Sequence, residues 1–191
     1  MTESCTKDAD FPVSGWLPDC RRMLSPNFDL RPPDTVISLL VVHAISLPPG
    51  EFGSDDVADL FRNRLNVARH PFFAEIAGLR VSSHFFVRRD GEPVQFVSCD
   101  ARAWHAGASV WQGRERCNDF SIGIELEGCD DLPFEPAQYS TLNRLVVQLR
   151  ERYPLLAAVG HSDIAPGRKT DPGPHFDWSQ VTGIACPKTA A

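Results

Sequence analysis

The run Ser38–His43 (SLLVVH) is short and almost continuously apolar, the pattern of a strand buried on both faces at the centre of a sheet. A chain containing such a strand must supply neighbours to pair with it and layers to cover it. Ser121–Glu127 (SIGIELE) supplies a second strand. It alternates, with Ile122, Ile124 and Leu126 on one face and Gly123, Glu125 and Glu127 on the other. Glu127 on that pattern reads as solvated. Arg80–Arg88 and Pro93–Val97 flank Arg89-Asp90-Gly91-Glu92, whose Asp-Gly pair predicts a hairpin. Leu155–Val159 reads as a last short strand. The covering layer is visible from Glu135 to Arg152, where Tyr139, Leu142, Leu145, Val146 and Leu149 recur every three to four residues, as in an amphipathic helix. Ser54-Asp55-Asp56 reads as another helix start, with an N-cap oxygen and acids at the positive end of the dipole. Strands interleaved with helices give an α/β domain. The hairpin makes its central sheet mixed rather than wholly parallel.

The 191 residues suit one domain, read as an N-terminal arm (1–24), a core (25–180) and a tail (181–191). Pro26, Pro32 and Pro33 mark an extended, irregular stretch near the N-terminus, and Pro166, Pro172 and Pro174 make the region after His161 a loop. The 25 acidic against 19 basic residues leave a net charge of −6, which argues against binding nucleic acid or an anionic membrane. The longest apolar runs fall far short of the roughly 18–20 residues needed to cross a bilayer, and the polar start has no secretory pattern. The chain therefore reads as cytoplasmic, and its six cysteines, none spaced C-x-x-C, read as free thiols.

Three residues stand apart. His43 closes the first strand, His161 follows the last, and Asp171 lies in the Pro/Gly-rich loop beyond. Strand ends are where α/β sheets place functional groups. Two imidazoles and a carboxylate suit a catalytic zinc, with a fourth position left for water. The spacing matches no local zinc motif, and the same residues also fit two hydrogen-bonded histidines with an Asp capping a turn. His84 and His105 compete as ligands on pattern alone; His70 and His175 fit ordinary loop positions better. Glu125 sits on the strand face without bulky neighbours, where a carboxylate with a raised pKa can act as acid and base, or simply be solvated. Lys169, two residues before Asp171, is either a loop lysine or a cation for a developing oxyanion. Arg80, Arg102, Arg114 and Arg116 are candidates for bidentate contacts to an acidic substrate, and Trp104 and Trp111 for stacking; each also fits a surface or core role.

Several stretches, in order along the chain, resemble one family: SPNFDLRP (Ser25–Pro32), LLVVHAISLPPGEFG (Leu39–Gly53), LRVSSHFFVRRDG (Leu79–Gly91), RAWHAG (Arg102–Gly107), GRERCNDFSIGIELEG (Gly113–Gly128) and HSDIAPGRKTDPG (His161–Gly173). The chain is similar to the N-acetylmuramoyl-L-alanine amidases, which include phage T7 lysozyme and the peptidoglycan recognition proteins, and among them to the cytosolic AmpD branch of peptidoglycan recycling. The resemblance implies one Zn2+ on His43, His161 and Asp171, Glu125 as catalytic carboxylate and Lys169 as the cation beside the reacting carbonyl. It places Arg80, His84, Trp104 and Arg116 along the substrate groove. It also implies a small muropeptide substrate ending in 1,6-anhydro-N-acetylmuramic acid, an indirect effect on β-lactamase induction, and a monomer. Members commonly carry Asn after the first zinc histidine; here the residue is Ala44. A second expectation on the same fold is a non-catalytic muropeptide-binding module. Such modules lose zinc ligands, whereas this chain has all three.

Overall fold

The computed structural model describes residues 14–187. Cys5, the first thirteen residues of the expected arm and the last four of the tail lie outside them. The principal sheet has six strands. β3 (Leu39–Ile45), the strand read from SLLVVH, lies inside it, paired on both sides. The shorter strands β1 (Arg21–Arg22) and β2 (Phe28–Leu30) precede it. The helices α1 (Asp56–Phe61) and α2 (Pro71–Ile76) come next, followed by the hairpin β4 (Phe85–Val87) and β5 (Pro93–Gln95). Then come β6 (Ala101–Ala103), the small hairpin β7 (Val110–Trp111) and β8 (Arg114–Glu115), and β9 (Ser121–Glu127). The long helix α3 (Pro136–Arg150), β10 (Ala157–Gly160) and the single helical turn α4 (His161–Ile164) complete the order.

The sheet runs β1-β5-β4-β9-β3-β10. β3 is parallel to both β9 and β10, β9 is parallel to β4, and only the β4–β5 pair is antiparallel. The mixed α/β architecture expected from the sequence is therefore the observed one. Because side chains alternate along a strand, each central strand is divided between two layers. Leu40 and Val42 of β3 and Ile122, Ile124 and Leu126 of β9 face α3, packing with Tyr139, Leu142, Leu145, Val146 and Leu149. Each such side chain contributes about 1.5–3 kcal/mol on burial. The stripe on α3 is thus anchored where the periodicity placed it. The helix begins after Glu135, whose backbone N–H donates to the Gln138 side chain at 3.0 Å. On the opposite face, α1 and α2 bring Val57, Leu60, Phe61 and Phe73 against Phe86, Val94 and Phe96.

Several sequence expectations change. Arg80–His84 is not a strand; pairing begins only at Phe85, because Asn27, Ser82 and Trp104 bond one another across the preceding segment. The region after His161 is not all loop: one helical turn forms first, with Asp163 accepting from the Gly160 N–H at 2.7 Å. The helix expected from Ser54-Asp55-Asp56 starts at Asp56, but its N-cap position, Asp55, makes no side-chain cap bond; Ser54 Oγ, one residue earlier, accepts from Asp56 N–H at 3.2 Å. Glu127 is not solvated. It is 3% exposed and accepts from Gly53 N–H at 2.6 Å and Arg89 N–H at 2.9 Å, tying the loop after β3 to the hairpin turn. The face read as open is covered, as expected for parallel strands buried on both sides. Cys20, Cys99, Cys117, Cys129 and Cys186 are free.

Candidate metal centre and its cavity

The face of the sheet turned away from α3 carries the chemistry. His43 of β3 and Glu125 of β9 are register partners, so their side chains leave the same face of adjacent strands. β10 lies on the other side of β3 and hands the chain directly to His161. Asp171 returns because Ser162 N–H donates to its backbone carbonyl at 2.9 Å. Residues separated by more than a hundred positions thus meet at the carboxyl ends of parallel strands.

There, three donor atoms converge. His43 Nδ1 lies 3.0 Å from His161 Nδ1 and 3.0 Å from Asp171 Oδ2, and His161 Nδ1 lies 3.1 Å from the same oxygen. Two ligands of a tetrahedral zinc, each at about 2.0–2.1 Å, stand roughly 3.3 Å apart, so the triangle is close to the size such an ion needs. Among the described residues this is the one such group of His, Cys, Asp and Glu side chains. His161 Nε2 faces the carbonyl oxygen of Ala106 at 3.1 Å. A carbonyl only accepts, so in the neutral ring the proton sits on Nε2 and the Nδ1 lone pair points into the triangle. Burial pushes His43 down to about 4, leaving its ring neutral at pH 7. Burial works to raise Asp171, but the nearness of the His161 and His43 rings outweighs it and holds the carboxyl well below its usual range. Two neutral imidazoles and one carboxylate are the protonation states a divalent metal requires. Two facing lone pairs and a carboxylate oxygen favour a positive charge at the centre of the triangle.

Glu125 stands beside this triangle, with Oε1 4.0 Å from His43 Nδ1. It is 8% exposed, and its Oε2 is buried with no hydrogen-bond partner among the described residues. Burial, reinforced by the charge of Asp171 and opposed by Lys169, raises its pKa well above the usual carboxylate range. A carboxyl whose pKa is raised holds a proton more readily and can also return it. His43, Glu125, His161, Lys169 and Asp171 all line one cavity of about 390 Å³. The rest of its lining is largely apolar and includes Leu60 and Phe61 of α1, Phe72 and Ile76 of α2, and Trp104. Ala44 lines it too, at the position where Asn was expected to offer a polar contact.

Other expected contacts fall elsewhere. His84 is fully buried and outside the lining: its Nδ1 accepts from Gly123 N–H at 3.0 Å and its Nε2 faces the Ala101 carbonyl at 3.1 Å. Arg80 is exposed and hydrogen-bonds the Ala77 and Leu79 carbonyls instead. Arg116 is exposed and paired with Asp119. Arg102 is held by Asp29 and Asp119, and Arg114 lies over the Phe120 ring. His70 caps α2 by accepting from Phe72 N–H at 3.2 Å, and His175 is exposed. The apolar lining from α2 has no signature in the sequence, because a six-residue helix is too short to show a stripe.

The family model that matches residues 33–174 is described as N-acetylmuramoyl-L-alanine amidase. The chain belongs to this family. The amidase is similar to the 1,6-anhydro-N-acetylmuramyl-L-alanine amidase AmpD of Citrobacter freundii, at 56% identity over 92% of this chain and 95% of that protein. A crystal structure of an AmpD selenomethionine derivative superposes with a TM-score of 0.84 at 56% identity, covering 88% of this chain and 95% of that one. The amidase AmiD of Escherichia coli, in complex with the substrate anhydro-N-acetylmuramic acid-L-Ala-D-γ-Glu-L-Lys, matches with a TM-score of 0.60 at 33% identity, over 81% of this chain and 61% of that one.

Proposed function

We propose that the chain is a zinc-dependent amidase that hydrolyses the amide between the lactyl group of N-acetylmuramic acid, in its 1,6-anhydro form, and the L-alanine of the stem peptide. One observation carries this reading: three donor atoms within 3.1 Å of one another meet, in a cavity, beside a buried carboxyl whose Oε2 has no hydrogen-bond partner among the described residues. Relatives that match nearly the whole chain carry this activity in their names. When bound, zinc on His43, His161 and Asp171 supplies Lewis acidity and lowers the pKa of its water from 15.7 toward 7.

The chain's own groups do the rest. Glu125 accepts the proton of the attacking water and later delivers it to the departing amine of L-alanine, a double role its raised pKa suits. Lys169 lines the same cavity and offers its ammonium to the carbonyl oxygen as negative charge builds there. The apolar lining excludes water around both groups, which strengthens their charge interactions. Among the described residues no helix is long and apolar enough to cross a membrane. We place the reaction in the cytoplasm, performed by a monomer on small wall fragments. Removing the peptide alters the muropeptide pool, and through it β-lactamase induction in hosts that have that circuit.

The test is metal analysis of protein purified without chelators, together with mass spectrometry of products from anhydro-muramyl peptides. About one zinc per chain and release of the free stem peptide are expected, with chelation abolishing release and zinc restoring it. A chain that neither holds nor takes up zinc overturns the reading. Tight binding of the fragment without turnover establishes a binding module instead.

A further inference from the structure

The two imidazoles of the candidate centre are backed by one short segment. His161 Nε2 faces the carbonyl of Ala106, and His43 Nε2 lies 2.9 Å from Nδ1 of His105. Asn118 Oδ1 accepts from both His105 N–H, at 3.2 Å, and Ala106 N–H, at 2.8 Å, which pins the segment. His105 is 8% exposed, and its ring makes a second side-chain hydrogen-bond contact, from Nε2 to Ser121 Oγ at 3.2 Å.

The protons along this row can be assigned. Ser121 has one hydroxyl proton, and the carbonyl of Cys117, 2.6 Å away, can only accept it. Toward His105, Ser121 Oγ therefore acts as the acceptor and His105 Nε2 carries the proton. Neutral His105 is then left with a lone pair on Nδ1, which accepts from His43 Nε2–H. A neutral His43 with its proton on Nε2 has a bare Nδ1, the atom in the donor triangle. A second observation shows that the site is built for this ring. Gly123 of β9 lies beneath it, and a Cβ there would sit 2.6 Å from His105 Cγ and 2.7 Å from its Nδ1. A glycine inside a strand often marks such a close approach.

We infer that His105, oriented by Ser121 and seated on Gly123, is a positioning residue that fixes the ligating tautomer of His43 and thereby sets the metal affinity of the site. The inference rests on the proposed metal reading, but its central claim concerns a proton on a ring of the bare chain. Outer partners of metal-binding histidines typically govern about 10–100-fold in affinity.

The experiment uses the full chain and has two readouts. Nitrogen-15 NMR of the metal-free protein reports the His43 tautomer. Competition with a chromophoric chelator reports zinc affinity. The parent is expected to hold His43 in the Nε2–H form. His105→Leu should mix the tautomers and weaken zinc about 10–100-fold, and Ser121→Ala should do so to a lesser degree. His105→Asn keeps an acceptor near the position of Nδ1 and should restore most of the affinity. If His105→Leu fails to fold, Ser121→Ala with the parent tautomer decides the matter. Parent-like zinc affinity in both His105→Leu and Ser121→Ala, an Nδ1–H tautomer in the parent, or a His105→Asn variant as weak as His105→Leu would each overturn the inference. A parent that takes up no zinc yet shows the Nε2–H tautomer overturns the metal reading and leaves the relay standing.

Discussion

Gly123→Ala adds one methyl group in a place that has no room for it. The new carbon would stand 2.6–2.8 Å from three ring atoms of His105, against about 3.5–4.0 Å for an ordinary carbon contact. Neither side can retreat cheaply. The ring is hydrogen-bonded from both nitrogens, to His43 and Ser121. The backbone of Gly123 is paired with β3, and its N–H donates to His84. Overpacking of this kind costs about 1–3 kcal/mol. For a chain of this length that is a fall in melting temperature of roughly 2–12 °C. Calorimetry of the metal-free protein measures it, and a double-mutant cycle isolates the cause. Once His105→Ala removes the ring, the methyl has space, so the two changes should couple by about 0.5–3 kcal/mol in the favourable direction. A Gly123→Ala protein that melts with the parent, or a cycle with no coupling, would refute the claim that the ring's seat demands a glycine.

Three further outcomes follow from the same geometry. Lys169→Ala should cut kcat by about 10²–10³ while zinc content, measured by atomic absorption, stays at the parent level. Burial raises Glu125 above its ordinary value of 4.5, so the folded chain holds that proton more tightly than the unfolded one, and stability falls as pH rises from 4.5 through the folded pKa. Metal-free Glu125→Gln should therefore melt higher than the parent at pH 7–8, by about 2–4 °C per kcal/mol recovered, with the gap closing below about pH 4; an unchanged gap across that range would show that the carboxyl is not the cause. Glu127→Ala leaves the Gly53 and Arg89 N–H groups without their acceptor. It should cost about 1–3 kcal/mol in urea unfolding, with faster hydrogen exchange at those two amides.

What the sequence disclosed follows from how much periodicity each element has. β3, β9 and α3 span enough residues for an apolar rhythm to show, and each lies close to its expected position. β1, β2, β6, β7 and β8 are two or three residues long, too short to carry any rhythm, and tertiary pairing alone defines them. α2 is a single short helix opened by Pro71, with only Phe73 fully buried, so no stripe repeats. At the site, His43 and His161 were visible as strand ends. Asp171 stood out only as an acid in the loop beyond, and the family likeness strengthened its place in the set; its return depends on a backbone bond from Ser162 that no side-chain pattern encodes. Of the acids of β9, Glu125 was open between a cleft and solvent and Glu127 read as solvated, and both are buried. Alternation distinguishes two faces but not whether the second is covered, and here loops and α1 cover it. The glycine between them was the better clue, since it marked where another ring presses on the strand.

The order in which the donors occur along the polypeptide has a consequence for biosynthesis. Position 43 is made early, but its two companions are 161 and 171. A nascent chain emerging from the ribosome thus offers a stray cation only a single imidazole of this trio until most of the sheet has been synthesised. On the proposed metal reading, loading would wait until all three donors have been made, when most of the scaffold that positions them is also present.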